Sequence, residues 1–155
     1  MTSIYTPEEA KKVIKAVTLS GIAVAIADMG IVSTAIEATA LAKEVAGVAK
    51  KYPNNTIIQG VFSDEAIKHF SPGDAPKDIT PDNAADQAIA AITDAIATLE
   101  PKATPEEISE YKQFIFSAAE HVANAAGSGL FGTGKTKVSD TEAAVLTKLK
   151  VALSV

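Results

Sequence analysis

The stretch most able to do chemistry is GLFGTGKT, Gly129 to Thr136. It fits G-x-x-x-x-G-K-[ST], the phosphate loop of nucleotide hydrolases, letter for letter. In such a loop the glycine amides wrap a phosphate, the Lys neutralises it, and the hydroxyl holds Mg²⁺. That chemistry needs a buried strand before the glycines. It also needs the Lys and Thr in the first turn of the next helix, whose N-terminus faces the anion. Here the run before Gly129 is SEYKQFIFSAAEHVANAA, an amphipathic helical pattern, and the next helix start is at Ser139. Lys135 and Thr136 therefore fall in a loop. No apolar strand ending in Asp follows to bind Mg²⁺, and no βαβ alternation is present. The expectation is a Gly-rich interhelical loop, with Leu130 and Phe131 packed on the helices and no nucleotide turnover. Anion binding without hydrolysis would use Gly132, Gly134, Lys135 and Thr136.

The other reactive residues form no recognisable constellation. The histidines are His69 and His121. Glu120-His121 lacks the Glu-x-x-His spacing of diiron bundles. Glu65 and His69 share a face at i, i+4, but two ligands do not complete a metal site. Both histidines are expected on helix surfaces or in packing. No serine sits in a G-x-S-x-G elbow. Cysteine is absent, which removes disulfides, thiolate metal sites and thiol nucleophiles together. No catalytic residue, cofactor or metal ligand is expected, and the chain does not read as an enzyme.

The acidic pairs have a structural reading. Thr6-Pro7-Glu8-Glu9 and Thr104-Pro105-Glu106-Glu107 are capping boxes with Pro at the first helical position. Ser139-Asp140-Thr141-Glu142 is a third box. Thr80-Pro81-Asp82-Asn83 is a further start, and Ser63-Asp64-Glu65 another. Apolar residues then recur in steps of three and four: Ile108, Tyr111, Ile115, Ala118, Val122 and Ala125; Ala85, Ala88, Ile89, Ile92, Ile96 and Leu99; Val145, Leu146, Leu149, Ala152 and Leu153. Only Thr56-Ile57-Ile58 is ambiguous between helix and strand. The spacing predicts helices over about 7–28, 32–51, 55–70, 81–99, 105–126 and 140–153, give or take 2–4 residues.

The fold class expected is all-α: a compact single-domain bundle of about six helices over residues 1–155, with the first two central. Both of these are more apolar than one amphipathic stripe requires. Small residues line them, at Ala16, Ser20, Gly21, Ala25 and Ala27 on the first and at Ala35, Ala38, Ala42, Ala46 and Ala49 on the second. That pattern favours close helix packing and a homodimer built partly on this pair.

Composition narrows the setting. The net charge is −5 with scattered lysines and no basic stripe, so no nucleic-acid partner is expected. The apolar stretch Ala16 to Ile36 is diluted by Thr, Ser, Gly and Asp28, so it reads as buried helix and not as a membrane span. MTSIYTPEEAKK lacks a charged segment followed by an apolar one, so no secretory leader is expected. A cytoplasmic location fits this and the absence of cysteine.

The C-terminal third, from ATPEEISEYKQF through the Gly/Phe loop to VSDTEAAVLTKLKVAL, resembles a family of small uncharacterised bacterial helical proteins. KKYPNN shares the likeness. In that family the loop resembles GGFFGFGG without the G-K-T ending, which agrees with a loop that has no nucleotide role. The family implies a bacterial all-helical protein and brings no activity. A fainter likeness is to tellurite-resistance B-like helical proteins, whose Ala-Asp-Gly-x-Ile-Ser-x-x-Glu segments are thought to bind metal. The nearest segments here are Ala27-Asp28-Met29-Gly30-Ile31-Val32-Ser33 with Glu37, and Val138-Ser139-Asp140-Thr141-Glu142. Gly30 is displaced by one position, and Ala126-Gly127 replaces the Asp-Gly half of the second copy, so no metal residue is carried over. The expected role is a non-catalytic interaction or stress-associated module that self-associates. The alternative is a metal- or anion-binding domain of the tellurite-resistance type.

Overall fold

The first helix begins where its capping box places it. In the computed structural model, which describes residues 4–27, 43–69, 78–128 and 140–155 (without the side chains of 67–69 and 125–128), Thr6 is the N-cap of α1 (Pro7–Ala25). Its hydroxyl accepts the Glu9 amide at 3.3 Å, and Glu9 accepts the Thr6 amide at 2.8 Å. Helical residues 43–51 form α2. They are followed by α3 (Thr56–Phe62), α4 (Asp64–His69), α5 (Ala84–Leu99), α6 (Pro105–Ser128) and α7 (Asp140–Leu153). No strand occurs among the described residues. The protein is an all-α bundle, and the ambiguous Thr56-Ile57-Ile58 is the first turn of α3.

α1 is the central element. From Ala16 to its end every residue is buried or half-buried, including Ala16, Ser20, Gly21 and Ala25. α5, α6, α7 and α3 surround it. Small side chains allow these neighbours close, and Ser20 hides its hydroxyl by donating to the Ala16 carbonyl at 2.7 Å. The small-residue stripe of α1 is thus used within one chain. Of the second predicted helix, only 43–51 lie in the described residues, and there Val48 alone is buried. Ala35, Ala38 and Ala42 lie outside them.

α1 ends at Ala25 instead of 28, and two other boundaries differ from expectation for local reasons. The run 55–70 is two helices, because Ser63 is extended (φ −67°, ψ 156°) and its hydroxyl accepts the Ala66 amide at 3.2 Å, capping α4. Regular helix in α5 starts at Ala84 instead of 81. Thr80 and Asn83 first exchange reciprocal side-chain bonds of 3.3 and 2.8 Å, closing a turn before the helix. α7 keeps its predicted ends. At its C-terminus Ser154 takes φ 56°, and the Ser154 and Val155 amides reach the Val151 and Lys150 carbonyls at 3.2 and 3.3 Å. This is a Schellman motif with serine in the position glycine usually fills.

The core joins these elements through large side chains. Phe62 of α3 meets Phe114 of α6 edge to face, with centroids 5.2 Å apart. Tyr111 is buried and donates to the Val13 carbonyl at 2.8 Å, tying α6 to α1. Burial pushes its phenol well above the ordinary tyrosine value.

Candidate functional site

The densest group of polar side chains lies where three helix N-termini meet: α1 at Thr6, α3 at Asn55 and α6 at Thr104. Each N-terminus presents amides with no partner in its own helix. Glu107 serves two of them. One carboxylate oxygen accepts the Thr104 amide at 2.9 Å, as the capping box requires, and the other accepts the Thr56 amide of α3, also at 2.9 Å. Asn55 completes the junction. Its oxygen accepts the Ile58 amide at 3.0 Å, while its amide group donates to the Glu107 carbonyl at 3.0 Å and to Glu110 at 2.8 Å. Burial alone would raise the Glu107 pKa. The bonds from Thr104 and Thr56 outweigh it and hold the carboxyl below the usual range.

Lys102 closes the same end over α1. Its ammonium donates to Glu9 at 2.8 Å and to the Ile4 carbonyl at 3.2 Å, and lies 5.9 Å from the centre of the buried Tyr5 ring. The Lys102 bond and the Thr6 cap together lower the Glu9 pKa. Burial raises that of Tyr5, opposed by a hydrogen bond with Thr56 and assisted by the Glu107 and Glu9 charges. The Glu9 and Glu107 carboxylates and the Lys102 ammonium are thus all engaged in bonds at the helix ends. This junction holds helices together.

The second group joins α2 to α6. Ser117 donates to Glu44 at 3.2 Å, and His121 Nδ1 stands 4.0 Å from the other Glu44 oxygen. The residue types match a hydrolase triad but the connectivity does not. A triad passes the serine proton to the imidazole and uses the carboxylate to orient that imidazole. Here the hydroxyl is bonded to the carboxylate itself. His121 is half-exposed on the helix surface, as its sequence position suggested. Glu65 is exposed, and the side chain of His69 lies outside the described residues. Among the described residues no three His, Cys, Asp or Glu side chains come together as a metal site.

Gly132, Gly134, Lys135 and Thr136 also lie outside the described residues, as do Ser139 and the segment from Asp28 to Glu37. The element leading toward Gly129 is α6, a helix. Glu142, in the first turn of α7, is buried with only 2% exposure. Sequence reasoning missed Asn55, Lys102 and Glu44. Asn55 carried a signal, an Asn two residues after Pro53 and directly before an apolar run. Lys102 and Glu44 carried none, since their partners are distant in the chain.

Compared with known proteins, the chain matches no family model, no curated protein and no solved structure.

Proposed function

We propose that this cysteine-free protein is a non-catalytic helical interaction module that associates with copies of itself in the cytoplasm. The observation that carries this reading is the outward face of α2. Lys43, Ala46, Gly47 and Lys50 are exposed, and a Cβ added at Gly47 would meet nothing within 4 Å. Glycine inside a helix costs roughly 0.5–1 kcal/mol relative to alanine. Among the described residues no contact repays that cost at Gly47, and an approaching partner would. The non-catalytic part is supported by the use of Glu9, Glu107, Asn55 and Lys102 in joining helices. Among the described residues no helix is long and apolar enough to cross a membrane.

The small-residue stripe of α1 from Ala16 to Ala25 packs within its own chain, which favours association through other surface. Sedimentation equilibrium from micromolar to several hundred micromolar protein tests the reading. A mass rising above 16.0 kDa with concentration is the expected result, and a single-chain mass throughout refutes it.

A further inference from the structure

Two exposed helix faces are opposite in charge and alike in shape. On α2 the outward residues are Lys43, Ala46, Gly47, Lys50 and Lys51, two small residues between lysines with no exposed acid among them. On α5 the outward residues are Asp86, Ala90, Thr93, Asp94, Ala97 and Glu100, where the spacing 86, 90, 93, 97, 100 follows one side of the helix. This seam is also centred on small residues, and every charge that α5 itself places on it is negative. At 1.5 Å per residue, Lys43 and Lys50 are about 10 Å apart along their axis, and Asp86 and Asp94 about 12 Å along theirs. Ala90 lies midway between the acids as Ala46 and Gly47 lie midway between the lysines.

We propose that the α2 face of one copy docks on the α5 face of a second copy, with Lys43 and Lys50 over Asp86 and Asp94 and with Ala46 and Gly47 against Ala90. This rests on the self-association reading and names its surface. The second copy is the occupant because the chain carries both halves of the charge pattern. Lys12 of the same chain already pairs with Asp94 at 3.3 Å, so a docking lysine shares that carboxylate with it or displaces it, whereas Asp86 stands about two turns further along the face. The small centres let the two axes approach toward the lower end of the 8–10 Å range, where backbone and stems pack and the lysines reach past them.

The two faces belong to different sides of the fold. α2 rests on α3 and α6, through Gln59 bonds to the Ala49 and Tyr52 carbonyls and through Ser117 to Glu44. α5 rests on α1 and α7. A copy that has used its α2 face still offers α5, so the contact is head to tail and builds a ring or a chain of copies. The seam is short, which places it among weak, small interfaces.

Sedimentation equilibrium and native mass spectrometry at several hundred micromolar protein, in 0.1 and 1 M NaCl, test the proposal. Association is expected to weaken at least tenfold at 1 M, where the screening length falls from about 10 to about 3 Å. Lys43→Glu/Lys50→Glu has two acidic faces and Asp86→Lys/Asp94→Lys has two basic ones. Each alone should sediment as single chains, and an equimolar mixture should recover the lost association. Gly47→Leu should stay helical by circular dichroism and lose association. Wild-type association unchanged by salt and by both charge reversals overturns this interface and leaves self-association standing. A mixture that stays monomeric also overturns the interface. Wild-type protein that is monomeric under every condition overturns both.

Discussion

Removing the Glu107 carboxylate should cost more than removing Glu9, its counterpart in the α1 capping box, because two helices depend on Glu107. In Glu107→Ala the Thr104 and Thr56 amides both lose their acceptor, at 2.9 Å in each case. Loss of one cap costs about 0.5–2 kcal/mol, and bonds to a charged acceptor lie toward the upper end. The side chain is half-buried, so solvent replaces part of the lost interaction. About 2–3 kcal/mol is the expected total for two such bonds. In urea, with a slope of about 2 kcal/mol/M, this moves the unfolding midpoint down by about 1–1.5 M. Glu107→Gln keeps one acceptor oxygen and should lose roughly half as much. Glu9→Ala, at the matching position of α1, removes one amide bond and the exposed Lys102 pair, and should lose less than Glu107→Ala. The comparison uses equilibrium urea unfolding followed by far-UV circular dichroism. Equal losses for Glu9→Ala and Glu107→Ala, or full retention by Glu107→Gln, would refute the shared cap.

The pH dependence has a definite sign. The Glu9 and Glu107 pKa values are lowered by folding, so their stabilisation is present above the unfolded carboxyl value of about 4.3 and is lost as pH falls through the folded values. Glu107→Gln should therefore show a shallower loss of stability below that pH than wild type, read from midpoints measured between neutral pH and pH 3. Ser154→Gly should raise stability by about 0.5–1 kcal/mol, because glycine adopts positive φ without the steric cost borne by serine, and thermal unfolding reads the gain. Gly47→Ala should stabilise by a similar 0.5–1 kcal/mol, since the added methyl meets nothing within 4 Å. Millimolar Mg-ATP or Mg-GTP should leave the thermal midpoint unchanged; binding at 100 times Kd would add about 2.7 kcal/mol, and a rise abolished by Lys135→Ala would restore the nucleotide reading.

Helix existence and helix starts were legible in the residues alone, because both are local. A threonine, a proline and a glutamate three positions on determine a capping box whatever surrounds them, and the boxes at Thr6 and Thr104 formed as written. The apolar steps Tyr111, Ile115, Ala118 and Val122 likewise determined which side of α6 is buried. Ser63-Asp64-Glu65 reads in the sequence as a helix start, and the extended backbone of the same Ser63 also ends α3. Contacts between distant segments left no comparable trace. That Glu107 would cap α3 as well as α6 depends on bringing residues 56 and 107 together, and that Glu44 would bind Ser117 depends on the placement of α2. Small residues on α1 permitted close packing without stating whose helix would approach. Only the tertiary structure decided that, because the same alanine surface fits a neighbour from its own chain or from another, and here α5 and α6 arrive from its own.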